Sequence, residues 1–347
     1  MTTHSTLKRI GFACKWIDHA GQTDGIKPTD DAKQYNTGST TVAWLNRQTR
    51  EVAEQRLWDL MVQNIESTRK LIERVGNLDE TLRMVRLSSD IIPVYTESSW
   101  RYYWQLADVC RYMEKAFAEV GELARSRDVR VSFHPGQFCV LASNNDDIVQ
   151  RSIEEFEYHA DMARMMGYGQ KFQDMKINVH IAGRRGAEGI RVVYPKLSTE
   201  ARNTITIENE EMKHGLDDCL ALSDVLPIVI DIHHHWVREG TYLQVEDPRI
   251  ARVLSSWCDV RPTLHYSVSR EDYLVDHDSI TQPNFTTLLE SGHKKSKLRA
   301  HSDFYWNDAC NDWALSFLDK FDIMCESKGK NLASFALHKR AQEQGLV

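Results

Sequence analysis

The sequence has little of several things, and each shortage excludes something. Cysteine is sparse and unpaired in pattern. Seven are scattered over 347 residues, an odd number with no C-x-x-C pair, which argues against a disulfide framework and for reduced thiols. No run of apolar residues is long enough to span a bilayer, and no apolar targeting core precedes the first strand-like segment. The expectation is therefore a cytoplasmic protein with no membrane partner. A positive charge balance is also missing. Lys and Arg number 43 against 50 Asp and Glu, a net charge of −7. That excludes bulk electrostatic binding of nucleic acid and leaves room only for a local basic groove. Internal repeats and low-complexity tracts are absent.

What is present is an ordinary globular composition, 41% hydrophobic and 27% charged, with one repeated pattern. A short β-branched run ends in His, Asp or Glu and then breaks into a loop. Val129–Gln137 (VRVSFHPGQ) sets the type, with His134 at the strand end and Pro135–Gly136 turning the chain. INVH ends at His180, ITIE at Glu208, VLPIVID at Asp231, PTLH at His265 and FDIMCE at Glu326. The strands are expected at Arg9–Cys14, Leu82–Leu87, Val129–His134, Lys176–His180, Thr204–Glu208, Pro227–Ile232, Thr263–Tyr266 and Phe321–Glu326. Helical periodicity falls between them, at Arg50–Val75, Tyr102–Ser126, Asp146–Met166, Leu197–Arg202, Glu211–Ser223, Asp247–Cys258 and Phe304–Leu318, with a last helix at Leu332–Gln344. Eight alternating strands and helices predict one α/β barrel over residues 1–347, a single (β/α)8 TIM barrel. Long polar segments at Asp18–Thr41 and Ser267–Lys297 are expected as loops over the C-terminal face.

Barrel active sites collect at that face. The side chains gathered there would be His134, His180, Glu208, Asp231, His234, His265, His301 and Glu326. A lone buried histidine is more often a satisfied polar group than a ligand; the argument rests on repetition at equivalent positions. This N/O set suits divalent ions such as zinc or manganese. It is too large for one, so two or three ions would share it, with Glu208 or Glu326 bridging. Clustered divalent ions suit phosphodiester hydrolysis, activating a water and clamping the phosphate. His233–His235 read as an extended segment in which alternation lets only one or two rings face the mouth. His4, His19, His159, His214, His277 and His293 are expected at the surface. Arg184, Arg185, Lys294, Lys295 and Lys297 are candidates for phosphate contact, Lys328 for phosphate or transition-state charge. Phe12, Trp16 and Phe138 are candidates for stacking on bases.

These residues resemble the UV damage endonuclease family. The resemblance runs from RIGFAC to CESKGK and is carried by SFHPGQF (132–138), RSIEEFEYHA (151–160), NVHIAG (178–183), IENEE (207–211), VIDIHHH (229–235), RLSSDIIP (86–93) and the H-S-D of His301–Asp303. It implies a TIM barrel of the endonuclease IV and xylose isomerase kind with up to three metals, often manganese (with zinc, cobalt or magnesium as alternatives); a monomer is expected. It implies nicking of damaged double-stranded DNA immediately 5′ of photoproducts through a metal-bound hydroxide. The eight residues above would hold metal, Glu208 and Glu326 among them taking catalytic roles and Asp90 being a further candidate, and Gln137 and Phe138 would enter the duplex at the lesion; Lys328 joins the catalytic candidates from its position after Glu326 alone.

The sequence departs from that family in two places. Thr263 stands where a lysine that can be carboxylated is often found, and Phe12 and Trp16 replace Tyr and Asn near the expected lesion groove. Two rivals follow. A sugar isomerase or epimerase on the same barrel would need fewer metals and a proton-transfer group at a polyol. A lesion-binding protein with a degraded metal site would lose its ions and keep its preference for damaged duplex.

Overall fold

The computed structural model describes residues 7–18 and 29–347. Eight parallel strands form one sheet in the order β6-β5-β4-β3-β2-β1-β8-β7. They are β1 Ile10–Ala13, β2 Met84–Arg86, β3 Arg130–Phe133, β4 Lys176–His180, β5 Ile205–Glu208, β6 Ile228–Val229, β7 Thr263–Tyr266 and β8 Asp322–Cys325. The seam between β6 and β7 is closed by a single parallel bridge between Asp231 and His265, with the His265 amide donating to the Ile230 carbonyl at 2.8 Å. The architecture is the expected TIM barrel.

The principal helices are α1 Arg50–Gly76, α2 Ala107–Ser126, α3 Asp146–Met165, α4 Gly186–Val193, α5 Leu216–Leu220, α6 Ile232–Glu239, α7 Pro248–Ser256, α8 Asp308–Leu315 and α9 Lys330–Glu343. Helix α1 begins where Thr49 caps Val52, and α3 where Asn145 accepts from the amides of Asp147 and Ile148. Each turns an apolar stripe to the sheet: Leu57, Met61, Ile65 and Ile72 from α1, Val149, Phe156 and Ala163 from α3. Strand faces are buried on both sides, as parallel sheets require.

Several expectations need correction. Glu211–Ser223 is helical only over Leu216–Leu220, and Tyr102–Ser126 is broken by Gln105 and Leu106. The three consecutive histidines are not extended. They lie in α6, which Asp231 starts by accepting from the His234 amide at 2.7 Å. A helix spreads successive side chains about 100° apart, so His233 meets Ser267, His234 meets Glu208, and His235 lies buried by itself. His159 is fully buried against Phe133 and Tyr158 rather than exposed. His4, His19 and part of the Asp18–Thr41 loop lie outside the described residues. Among the described residues no helix is long and apolar enough to cross a membrane.

Candidate metal centre

The register of the sheet places the strand-end residues side by side. His180 pairs with Glu208 across β4 and β5, and Asp231 with His265 across the seam. Glu208 is the hub. Its Oε2 lies 3.3 Å from His134 Nε2 and 3.5 Å from His180 Nε2, and its Oε1 lies 3.1 Å from His265 Nδ1 and 3.6 Å from His234 Nδ1. Glu326 Oε1 is 3.2 Å from His265 Nδ1. Three sets of ligand atoms fall within 4.8 Å of one another: His134, His265 and Glu326; His134, His180 and Glu208; and Glu208, Asp231, His265 and Glu326.

The residues fit a group of divalent cations. Glu208 Oε1, Asp231 Oδ2 and His265 Nδ1 are buried without a hydrogen-bond partner, a costly arrangement unless something occupies the space between them. The histidines are also oriented for it. His134 Nδ1–H donates to the Pro135 carbonyl at 3.0 Å, His301 Nδ1–H to the Glu326 carbonyl at 2.9 Å, and His234 Nδ1–H to the Asn209 carbonyl at 3.0 Å. Each such bond fixes the tautomer and leaves Nε2 as the ligand atom.

Electrostatics follow from burial and crowding. Burial pushes His134, His180 and His301 below the usual imidazole range and His265 to about 4, so these rings stay neutral and able to ligate. Burial alone would raise Glu208, but the facing His265 and His180 overcome it and hold the carboxylate well below its ordinary value. Burial keeps Asp231 well above its own. His234 goes the other way: despite burial, Asp231, Glu208 and Glu211 raise it to about 9.

Three residues that sequence reasoning left without a role belong to this centre. Asn178 donates through Nδ2 to Glu208 Oε2 and accepts through Oδ1 from Thr206 Oγ1 at 2.8 Å, aiming the hub carboxylate. Its position two residues before His180 put it on the same strand face, which was a readable signal. Arg86 Nη1 donates to Glu326 Oε1, a bond hinted at only by its place ending β2. Lys176 Nζ sits 2.8 Å from His265 Nε2; two residues before Asn178 on β4, it shares that strand face and carried the same signal. Thr263 Oγ1 is buried without a partner.

The remaining candidates divide. His234 and His301 adjoin the hub, their ring centroids 6.1 Å apart, but lie outside the three tight sets. Glu211 Oε2 approaches His234 Nε2 at 3.8 Å. Asp90 is exposed and not among those sets. Gln137 and Phe138 stand on the loop after His134, Phe138 at 85% exposure. Arg184 is exposed, while Arg185 pairs with Asp146 at 2.9 Å. Lys328 pairs with Asp303 at 3.3 Å and is half exposed. Phe12 and Trp16, expected to meet bases, are instead core residues, 1% and 5% exposed. Trp16 packs on Tyr35 and Phe335 with Arg74 over its face, so neither ring reaches the mouth.

Comparison with known proteins agrees with this geometry. A family model described as UV-endonuclease UvdE matches residues 9–346. A UV DNA damage endonuclease of Bacillus mycoides is 24% identical over 86% of each chain. A UV-damage endonuclease of Schizosaccharomyces pombe is 27% identical over 82% of this chain, which spans 44% of that protein. The solved structure of SacUVDE superposes with a TM-score of 0.72 at 20% identity, covering 98% of this chain and all of that one.

Proposed function

We propose, from the premise that this chain belongs to the UV-endonuclease UvdE family, that it is a metal-dependent endonuclease that nicks duplex DNA immediately 5′ of UV photoproducts. The observation that carries the reading is the convergence of four histidines on the buried carboxylate of Glu208, whose Oε1 lacks a hydrogen-bond partner along with Asp231 Oδ2 and His265 Nδ1.

His134, His180, Glu208, Asp231, His265 and Glu326 would hold the ions, with His234 and His301 completing their shells through Nε2. Two or three divalent cations, manganese first among them, would lower the pKa of a coordinated water and neutralise charge on the scissile phosphate. The chain's own groups supply the rest. Asn178 keeps the Glu208 carboxylate turned to the centre, and Arg86 does the same for Glu326. Gln137 and Phe138 enter the base stack, and the loop that carries them continues directly from His134. A distortion of the helix is thereby registered against the hydrolytic centre. Arg184 and the exposed lysines 294 and 297 offer phosphate contacts at the rim.

The test is a nicking assay on end-labelled duplex carrying one photoproduct, with Mn²⁺ and with chelator, beside Glu208→Gln. The expected result is one metal-dependent cut just 5′ of the lesion, absent from the variant. Intact duplex after incubation with fully metal-loaded protein overturns the proposal.

A further inference from the structure

Several basic side chains at the C-terminal face already have an acidic partner: Arg185 pairs with Asp146, Arg299 with Glu211 at 2.8 Å, and Lys328 with Asp303. Two others do not. Lys15 follows β1 and is exposed, and Lys330 opens α9 just past β8 and is half-buried. Among the described residues neither amine makes a hydrogen bond or an ion pair.

The chain holds these two amines together. Asn331, next to Lys330, accepts from the Ile17 amide through Oδ1 at 2.8 Å and donates through Nδ2 to the Ile17 carbonyl at 2.7 Å. The head of α9 is thereby fastened to the segment that carries Lys15. The Gly329 amide donates to the Asp303 carbonyl at 2.7 Å, and a β-carbon at Gly329 would meet that oxygen at 2.5 Å. Cys14 and Lys330, with φ of 69° and 50°, are two of the six non-glycine residues in the left-handed region among the described residues. Such conformations are costly and persist where the surroundings impose them, commonly at functional sites. Burial lowers the Lys330 amine below the ordinary lysine value, Arg86 and Lys15 add to that, and Cys14 and Glu326 oppose it. The carboxylate in this group, Glu326, is already held by Arg86. Positive charge is therefore left over beside the metal centre, in a chain whose net charge is −7.

We infer that Lys15 and Lys330 together hold one phosphate of the DNA backbone next to the phosphate that is cut. The inference rests on the nuclease reading above. A backbone phosphate is an anion that such a pair accepts whatever the base. Lys330 adjoins Glu326 without pairing with it, which sets the phosphate beside the ions rather than on them. Strands β3, β2, β1 and β8 are consecutive around the sheet. Phe138 after β3 and Lys330 after β8 are thus three strand spacings apart, roughly 14 Å at about 4.8 Å each. A strand wedged at Phe138 and gripped at Lys330 has two fixed points, and His134 and Glu326 lie within that span.

Two measurements test it. Binding of the metal-loaded protein to undamaged fluorescent duplex, followed across potassium chloride concentrations, gives the slope of log Kd against log salt. The double variant Lys15→Met/Lys330→Met is expected to lose about 0.9 from that slope, the share of one phosphate. Lys330→Arg keeps the charge and should keep the slope, and so should Lys339→Met, toward the far end of α9. In nicking of the lesion duplex the double variant should raise KM about tenfold and keep kcat within about twofold, the mark of a contact made equally before and in the transition state. A slope unchanged in the double variant, or as low in Lys330→Arg as in the double variant, overturns the inference, and so does a loss confined to kcat. A wild-type protein that binds duplex but leaves the lesion strand uncut overturns the nuclease reading instead, which separates the two failures.

Discussion

Lys176 Nζ lies 2.8 Å from Nε2 of His265. The lysine enters from the start of β4 and lies buried inside the barrel. Burial lowers it to about 7, so a neutral amine is accessible near neutral pH. Nδ1 of His265 faces Glu208 and Glu326 and needs a free lone pair to ligate, which puts the ring proton on Nε2 and makes Lys176 its acceptor. Lys176→Met should weaken metal binding about tenfold, the low end of losses from removing a ligand's support, with nicking restored at saturating metal. A metal titration decides it; tighter binding in the variant would mean that the lysine carries its charge.

Removing the hub has a larger effect. Glu208→Gln keeps the shape and takes away the charge that four imidazoles face. Bound metal per chain, measured by elemental analysis after dialysis, should fall by at least one ion, and nicking should drop at least about a thousandfold, roughly 4 kcal/mol of transition-state stabilisation. Unchanged metal content would exclude Glu208 as a ligand.

Asn178→Ala acts one step out. The Glu208 oxygens remain, but nothing aims them, because Asn178 Nδ2 is the donor on Oε2. Metal affinity should fall about 10–100-fold with the maximal rate at saturating metal changed much less. A fall in that rate with affinity intact would assign Asn178 elsewhere.

Phe138 is 85% exposed and packs on little. Phe138→Ala should leave thermal stability within about 0.5 kcal/mol. It should cost about tenfold or more in nicking of lesion duplex, since one aromatic–base contact contributes about 1–3 kcal/mol. Full activity in the variant would remove Phe138 from the DNA interface.

His159, which is not among the ligand candidates, gives a pH signature. Burial lowers it from 6.5 to about 4, and its Nε2 has no partner. The unfolded chain binds the proton more tightly than the folded one, so stability is whole above pH 6.5 and is lost as pH falls from 6.5 toward 4. His159→Gln should flatten that part of the profile in urea melts. Identical slopes for wild type and variant would assign the acid loss to other groups.

The barrel was legible because six of the eight strands carried the same two marks, a short apolar run and a His, Asp or Glu at its end, and the sheet register does the rest by setting those termini side by side. The histidine triplet was misread because VID runs into HHH with no turn residue between. Asp231 ends the extended run and caps the helix with one side chain, and a sequence pattern shows only the first role. Lys176 was missed for a different reason. It lies four residues before His180 on the same strand face, but it opens the strand rather than ending it and reaches the centre from below through a flexible stem. Phe12 and Trp16 were placed correctly near strand ends, but Trp16 is covered by Tyr35 and Phe335, distant in sequence, and Phe12 packs on Trp16 in turn. Phe138 differs from them because its loop is pinned to α3, leaving the ring nothing to pack on.

The bridge between Asp231 and His265 closes the barrel at a strand only two residues long. Both partners also contribute atoms to the four-membered carboxylate–histidine set. Any cation held by that set would cross-link the two free edges of the sheet, so metal loading and closure of the ring become one event. Amide exchange at Ile230 and His265 should then slow on metal addition, more than at the β4–β5 ladder. The cation would serve as a staple for the last seam of the fold, and chelation would loosen the barrel there before any other strand pair feels it.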